Sequence, residues 1–366
     1  MRSFLTPLIV GAVLVLSLVS ALDAVDGKDG RTSPVRAEVT PAGQTSGETP
    51  TAGSPAVEPP RIEKQEAIER RLRREGVSGA LVFTDERCRL SVLALPSLDW
   101  LRQSDGSASC TFSLSPDGRH YFAGERVAFS PRGDLAATCG GNRTGVVTTA
   151  GRPRYDIEGF CTPAWKPDGT LTAVDGQGIF ALPAGCAARP GPCGAPILTE
   201  GALLAALRAV ASRRPSTESV PVEIRDPEVE EVAWLSDSRL VLAMSFAYAG
   251  GQEALVAVFD NGRLASRPTI AGGLHDLRLS PGRRYFVIRG RAPRGLLFFD
   301  RDGRLLARDP VAGGHHAAWS PDERWIAVAG GGSTYLVRTE ELAVLGRAEP
   351  SRLIRLPVFA ADVAWR

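Results

Sequence analysis

The sequence predicts an all-β protein, a β-propeller of four-stranded blades, and three observations support this prediction. A cassette made of an aromatic residue or Leu, followed by Ser-Pro-Asp-Gly or a variant of it, recurs along the chain. After its second copy, the third cassette position recurs at intervals of 36, 69, 45 and 40 residues, which fits one four-stranded blade per interval with one long insertion. The chain also ends on the first half of a cassette, which indicates a strand that pairs elsewhere.

Each cassette predicts the turn of an inner hairpin. The copies begin at Leu114, Phe129, Trp165, Trp234, Leu279 and Trp319. An apolar strand leads into the first residue, the Pro forbids ladder pairing and presets φ for a turn, and the Asp-Gly pair lets the chain reverse. A second hairpin with its own turn residues follows at 259–264 and at 299–305. Two hairpins per period make a four-stranded blade.

The two ends of the propeller are expected to close the ring together. Residues 362–366 supply a lone inner strand, in which Trp365 comes 46 residues after Trp319. Residues 80–94 read as an outer hairpin that lacks an inner strand. Joining them in one blade removes an exposed sheet edge. Six blades result if residues 110–124 complete this closing blade, and seven if they begin a blade of their own. We expect six.

These residues resemble the TolB-like and WD-repeat-like propeller repeats, whose inner hairpin carries a Trp-Ser-Pro-Asp-Gly signature. The resemblance covers residues 78–366. It implies a propeller architecture. It also implies a choice of roles, because such propellers serve as rigid platforms in periplasmic complexes, as gating domains beside peptidase domains and as binding modules.

The segment before the propeller predicts export to the outer side of a membrane. Residues 4–22 form an uncharged, Leu/Val-rich run of 19 residues preceded by Arg2, which is long enough for about one membrane crossing. We assign 1–22 as an uncleaved single-pass anchor, with secretion as the alternative if 19–21 is a signal-peptidase site. Residues 23–60, rich in Pro, Gly, Ser and Thr, are predicted to be a disordered linker.

Two helices are expected besides the strands. Residues 61–76 have a charged helical pattern that ends at Gly76, typical of a solvated stalk helix, or of a basic helix that binds a partner. Residues 199–213 carry Leu203, Leu204 and Leu207 at helical spacing inside the long 69-residue interval. This second helix is extra to a blade, and we expect it to pack on the propeller, which spans 77–366, rather than on a partner.

The six cysteines of an exported chain are expected to form disulfides. Cys186 and Cys193 bracket a Pro/Gly-rich loop that has little core, so a bridge there is expected first. Sequential pairing of Cys88 with Cys110 and of Cys139 with Cys161 is the simplest scheme for the others. Some of the six could instead be buried thiols that act as small apolar residues.

Composition and motifs make an enzyme less expected than a binding protein. Lys plus Arg number 43 against 41 for Asp plus Glu, so the chain has no basic field for nucleic acid. The sequence contains no Gly-x-Ser-x-Gly, no His-Glu-x-x-His and no phosphate loop. We predict no cofactor.

One constellation could carry chemistry. Alignment of the cassettes places a set of polar residues three positions before the aromatic or Leu, at the start of the inner strands that line the channel: Thr162, Glu231, Asp276, His316 and Asp362. His275 and His315 come one position earlier. Three carboxylates and an imidazole could hold a divalent cation or raise one pKa for proton chemistry. Alternatively these side chains have a structural role at the channel mouth, as the acidic residue at this offset in the resembled repeats often has.

Three function classes follow. The first is a non-enzymatic, membrane-tethered interaction platform whose partners are other exported or membrane proteins. The second is a metal-dependent enzyme at the channel mouth, and the third is a ligand sensor at the same place. The linker, the propeller and the missing nucleophile favour the first.

Overall fold

The computed structural model describes residues 16–17, 61–103, 109–123, 127–176, 178–183, 186, 194–211, 225–248, 251–265, 269–292, 294–311, 313–330, 332–345 and 352–366. Apart from 16–17, the predicted anchor and linker therefore lie outside the described residues. No helix in these ranges is long and apolar enough to cross a membrane.

The described chain consists mainly of short strands, with three helices. The helices are α1 (Arg61–Arg74), α2 (Glu200–Ala211) and α3 (Thr339–Leu345). The strands of the N-terminal part are β1 (Leu16–Ser17), β2 (Gly79–Thr84), β3 (Leu90–Leu95), β4 (Trp100–Gln103), β5 (Phe112–Leu114), β6 (His120–Ala123), β7 (Val127–Phe129), β8 (Leu135–Cys139), β9 (Arg143–Thr148) and β10 (Pro153–Glu158). The middle strands are β11 (Cys161–Trp165), β12 (Leu171–Asp175), β13 (Gly178–Leu182), β14 (Ala195–Thr199), β15 (Arg225–Trp234), β16 (Arg239–Tyr248), β17 (Gly251–Asp260) and β18 (Arg263–Leu264). The C-terminal strands are β19 (Thr269–Leu279), β20 (Tyr285–Ala292), β21 (Arg294–Asp300), β22 (Leu305–Arg308), β23 (Gly314–Trp319), β24 (Trp325–Gly330), β25 (Ser333–Arg338), β26 (Ile354–Leu356) and β27 (Asp362–Trp365).

The strands form a ring of antiparallel blades, which confirms the predicted β-propeller. The sheets run β27-β2-β3-β4, β1-β6-β5, β10-β9-β8-β7, β11-β12-β13-β14 and β23-β24-β25-β26. Two further blades, β15 to β18 and β19 to β22, join through pairing of β17 with the start of β19. The innermost strands contact one another in the cyclic order β27, β5, β7, β11, β15, β19, β23 and back to β27. The described part of the chain thus contains seven blade units.

The expected count of six is wrong. It assumed that residues 110–124 complete the closing blade, but β5 and β6 pair with each other and lie in a different sheet from β27, β2, β3 and β4. The closing blade already has four strands, so it has no place for a further hairpin. The β5–β6 pair therefore forms a separate unit, which we call the short blade.

Closure by the two ends of the propeller is confirmed. Strand β27 pairs antiparallel with β2, so that Leu81 lies opposite Trp365 and Thr84 lies opposite Asp362. Trp365 is buried and its indole N–H donates to the carbonyl of Ser78 at 3.0 Å. Because a ring closed in this way leaves no inner strand unpaired, the last four-residue strand holds the first blade in place.

The cassette turns have the chemistry that the sequence predicts. In the copy after Trp319, the Ser320 hydroxyl donates to the Asp322 carboxylate at 2.6 Å, and the Trp325 N–H donates to Ser320 Oγ at 2.9 Å. The fifth cassette position has positive φ at Gly118, and also at Glu323, where φ is 58°. Side-chain hydrogen bonds thus fix each turn even where Gly is replaced.

Apolar clusters lie between adjacent blades and hold them face to face. One buried cluster joins the closing blade to the β23–β26 blade and includes Leu81, Trp325 and Trp365. Helix α2 also packs on the propeller, because Leu203 and Leu207 are buried in a cluster with Trp234.

Helix α1 is not a fully solvated stalk. Leu72 is completely buried in the cluster that joins the closing blade to the β23–β26 blade, and the Arg71 guanidinium donates to the carbonyl of Leu353 at 3.1 Å. Arg338 on β25 forms an ion pair with Glu75. The helix is therefore docked on the propeller, with Arg70 and Arg73 on its exposed side.

Disulfide bonds link Cys88 to Cys110 and Cys139 to Cys161, as sequential pairing predicts. The first joins the β2–β3 turn of the closing blade to the start of the short blade. The second joins the end of β8 to the first residue of β11. Cys186 is buried and disulfide-bonded, while Cys193, its expected partner, lies outside the described residues. Both complete bonds connect neighbouring blades, so they reinforce the ring covalently.

Candidate functional site

The predicted channel-mouth residues lie on four inner strands of the ring. Glu231 is half-buried on β15, opposite Ala243, and Asp276 is on β19. His316 is on β23 and Asp362 is on β27, and both are buried. His316 contacts both Asp276 and Asp362, so the structure brings together three of the five residues at this offset.

A local irregularity places this offset at the channel. The register of the inner hairpin shifts between Val229 and Glu231, between His275 and Arg278, and between Gly314 and His316. Asp276 has φ of 61°, a left-handed conformation that is uncommon outside glycine. A bulge turns a side chain away from the regular strand alternation, and such positions are common next to functional sites and barrel rims. Here the bulges direct side chains of neighbouring blades toward one another.

The three residues form a network with two arginines, which we call the inner-strand network. The Asp276 carboxylate accepts from His316 Nδ1 at 2.7 Å and from Arg278 Nε at 2.7 Å. A second nitrogen of Arg278 lies 2.8 Å from Asp362 Oδ1, and His316 Nδ1 lies 3.3 Å from the same oxygen. Arg289 on β20 reaches His316 Nε2 at 3.3 Å. Two carboxylates thus share the Arg278 guanidinium and the His316 imidazole, and Arg289 contacts the imidazole at its other nitrogen.

The network also holds the backbone of the closing strand and of the short blade. Asp362 Oδ2 accepts from the backbone N–H of Phe112 at 3.0 Å, and Arg278 donates to the carbonyl of Val363 at 2.8 Å. Phe112 opens β5, so the hydrogen bonds cross from β19 through β23 and β27 to β5. Four consecutive inner strands are connected at the point where the ring closes.

Sequence reasoning missed both arginines, although one signal was present. Arg278 immediately precedes the cassette Leu279, and the residues that immediately precede Trp165, Trp234, Trp319 and Trp365 are all Ala. A long cationic side chain at a position that holds Ala in these other copies indicates a special role. Arg289 pairs in register with His275 across the β19–β20 hairpin, which the sequence alone does not reveal.

Charge pairing determines the electrostatics of the site. Burial raises the pKa of Asp276, but the Arg278 charge and the His316 hydrogen bond outweigh burial, so this pKa lies well below its usual range. Burial likewise opposes the charge of Arg278, but Asp276 and Asp362 outweigh it and raise the pKa of the guanidinium. Asp276 is therefore ionised, and Arg278 is charged, at every pH near neutrality.

Both nitrogens of His316 are engaged. Nδ1 faces the Asp276 carboxylate, which requires a proton on Nδ1, and Nε2 faces the Arg289 guanidinium, which can only donate. Nδ1 also lies 3.3 Å from a guanidinium nitrogen of Arg278. With Nε2 accepting from Arg289, the imidazole does not present a free nitrogen for proton transfer.

The two other histidines lie beside this network. His315 packs edge-on against His316 with ring centroids 5.3 Å apart, and its Nδ1 is 3.3 Å from the carbonyl of Gly313. Burial, together with the nearby His316 and Arg289, lowers the pKa of His315. His275 is half-buried on β19.

The arrangement suits strand fastening better than metal binding. Two guanidinium groups contact the carboxylate and imidazole atoms that would have to coordinate a cation, so a divalent ion would be repelled where it should bind. Within the described ranges, no three His, Cys, Asp or Glu side chains are grouped to hold a metal ion. A fully paired buried network rigidifies the strands that it connects.

Comparison with known proteins identifies propellers of distant sequence. The chain is similar to hydrazine synthase from Kuenenia stuttgartiensis, with 12% identity and a TM-score of 0.42 over 76% of this chain and 83% of that one. It is also similar to a β-propeller domain from Myceliophteria thermophila, with 12% identity and a TM-score of 0.39 over 79% and 90% of the two chains. A candidate 6-phosphogluconolactonase from Bacteroides fragilis gives 13% identity and a TM-score of 0.42 over 79% and 98%. No family model and no curated protein matches the sequence.

Proposed function

We propose that this protein is an exported, membrane-tethered β-propeller that acts as a non-enzymatic platform for protein interactions. The observation that carries the proposal is an exposed apolar edge on the closing blade. Trp100 is 55% exposed and Leu101 is 51% exposed, and they are the large hydrophobic side chains with high exposure among the described residues. Both lie on β4, the outermost strand of its sheet.

An exposed Trp beside an exposed Leu is typical of a contact surface. Tryptophan is enriched in interface anchors, and a soluble protein rarely leaves such a residue uncovered on a sheet edge. Arg102 follows directly on the same strand. A Trp-Leu-Arg sequence combines a large apolar area with a cation, which suits a partner surface that is apolar with an acidic rim.

The inner-strand network supports a platform over a catalyst. Its carboxylates are neutralised by Arg278, and both nitrogens of His316 have partners, so its polar groups connect strands to one another. A ring fastened in this way is a rigid body on which an edge such as β4 is held in a fixed orientation. The resemblance of the cassettes to TolB-like repeats agrees with this role, and the predicted anchor and linker would place the ring outside the membrane.

Crosslinking in intact cells tests the proposal. The full-length wild-type chain should give a discrete crosslinked product with a second protein. The double variant Trp100→Ser and Leu101→Ser should lower its yield about tenfold or more, because loss of a Trp anchor costs on the order of 2 kcal/mol.

The matched control replaces two exposed polar residues on the outer strand of another blade, Arg154→Ser and Glu158→Ser, and should leave the yield unchanged. An unchanged yield in the Trp100/Leu101 variant, or no product with a second protein from the folded wild type, would contradict the proposal.

A further inference from the structure

The short blade has only two strands from its own stretch of sequence. Strand β6 ends at Ala123 and β7 begins at Val127, so three residues separate them. Three residues can make a connection but not an outer hairpin. The adjacent blade, from β7 to β10, has four strands, and so does the closing blade on the other side. The position outside β6 is therefore not filled by the residues that follow it.

The outer edge of β6 has backbone groups that face away from β5, where a further strand can pair with them. The Ser115 N–H donates to the carbonyl of His120 at 2.8 Å, and the His120 N–H donates to Ser115 Oγ at 2.9 Å, so both groups of His120 point toward β5. Because these directions alternate along a strand, the backbone groups of Tyr121 and Ala123 point outward.

The structure shows what chemistry this edge accepts. Strand β1 pairs with it antiparallel, with Leu16 opposite Tyr121 and Ser17 opposite His120. Both residues belong to the uncharged Leu/Val-rich run that we assign to the membrane anchor or signal. A segment cannot cross a membrane and also pair with β6. In the tethered protein, the edge would need another strand.

The side chains near this edge favour an apolar strand. Tyr121 is 4% exposed and packs with Val82, Val92 and Phe112 between the short blade and the closing blade. Burial raises the pKa of Tyr121, against the opposing charge of the nearby Arg102. A strand added outside β6 would extend this apolar cluster on the side where Arg102 of β4 lies near Tyr121.

We propose that the outer edge of β6, residues 121–123, is a strand-addition site for an extended, predominantly apolar segment of a partner protein. The segment pairs antiparallel with β6 and supplies the third strand of the short blade. Main-chain hydrogen bonds provide the affinity and the apolar cluster selects the side chains. The inference rests on the proposed function, since it needs the run at 4–22 to lie in the membrane or to be removed.

A proline substitution tests the site in the full-length protein. Ala123→Pro removes an outward N–H and places a ring on the outer edge, which an edge strand tolerates. The probe is a photoreactive amino acid introduced at the exposed Arg119, next to β6, and activated in intact cells. We expect a crosslink to an apolar peptide of another protein, which Ala123→Pro reduces at least about fivefold, as loss of one main-chain hydrogen bond implies.

Two controls separate pairing from folding. Ala123→Ser keeps the N–H and should retain the crosslink. Glu158→Pro places a proline on the edge of the complete β7–β10 blade and should not affect it. The Glu158 N–H points outward, because the N–H of the next residue, Gly159, bonds to the carbonyl of Asn142, which directly precedes the adjacent strand β9.

The position of the crosslink identifies the occupant of the edge. A crosslink to residues near Leu16 would show that the chain fills its own edge, and a crosslink to a second copy would show self-association. Either result overturns the inference. The absence of a crosslink, or a crosslink that Ala123→Pro does not reduce, overturns it as well. If the Trp100-dependent product persists in these cases, only the strand-addition site fails. If that product is missing as well, the platform itself fails.

Discussion

At the scale of single residues, Arg278 determines what the channel mouth can do. Its guanidinium lies between Asp276 and Asp362 and also donates to the carbonyl of Val363. Removing one partner of a buried ion pair leaves an uncompensated charge, which is far more costly than loss of a surface pair. The residue that the sequence pattern did not reveal is thus the one on which the network depends.

Arg278→Ala should lower the free energy of unfolding by about 3 to 5 kcal/mol at pH 7. The matched control Arg143→Ala breaks a pair with Asp156 in which both side chains are 53% exposed, and it should cost about 0 to 1 kcal/mol. Denaturant titration of each variant measures the difference. Equal losses in the two variants would show that the network is not a buried charge cluster.

The stability of Arg278→Ala should depend on pH differently from that of the wild type. In the wild type the lowered pKa of Asp276 contributes stability that is present above the unfolded value of about 4 and is lost as the pH falls below it. Without Arg278, burial should instead raise this pKa, so protonation favours the folded variant. The stability gap between wild type and Arg278→Ala should therefore shrink as the pH is lowered from 7 to 4. A constant gap would contradict this account.

Cations should not change the stability of the wild type. Because Arg278 and Arg289 contact the groups that would bind a metal, calcium, zinc and a chelator should each leave the melting temperature unchanged. The double variant Asp276→Asn and Asp362→Asn should be less stable and equally insensitive. A melting temperature that rises with a metal in the wild type and not in the double variant would restore the metal site as an explanation.

At the scale of elements, bulges and the terminal strand account for the geometry of the site. On each of β15, β19 and β23 a register shift falls within the five positions before the cassette Trp or Leu, so similar bulges direct side chains from several blades to the channel. Strand β27 then adds Asp362 to this group. The strand that completes the sheet of the first blade also completes the network.

Trp365→Ala should destabilise the protein by about 3 to 5 kcal/mol, because it removes a buried ring and its bond to Ser78 from the strand that closes the ring. Trp100→Ala serves as the control, since Trp100 is 55% exposed and its loss should cost about 1 kcal/mol or less. Thermal melting of both variants measures the effect. Similar melting curves for the two would mean that the ring is closed by other contacts.

The cassettes predicted the inner hairpins, and the half-cassette at the C-terminus predicted the pairing of β27 with β2, because turn chemistry and strand periodicity are local. The number of blades depends on pairing between strands that are distant in sequence. Residues 110–124 contain one hairpin, and only its pairing decides whether it joins the closing blade. The contacts of Arg278 and Arg289 depend on how neighbouring blades meet, and α1 docks through Leu72 and its neighbours rather than through a repeated motif, so no repeating pattern predicted these features.

At the scale of the whole molecule, the blades form a ring with two different kinds of sheet edge. Disulfides, interblade clusters and the inner-strand network fasten the ring. The exposed β4 edge and the incomplete short blade lie on adjacent units, since β27 of the closing blade contacts β5. We propose that this side of the ring faces partners in the exported compartment.

Limited proteolysis of intact cells, after removal of any outer barrier, tests the central claim that a compact propeller is displayed outside the membrane on a tether. The account predicts release of one resistant fragment whose first residue lies between 23 and 60 and which extends to Arg366. The Cys88–Cys110 and Cys139–Cys161 bonds should keep this fragment in one piece without reductant. Full protection of the chain, or cleavage throughout residues 77–366, would contradict it.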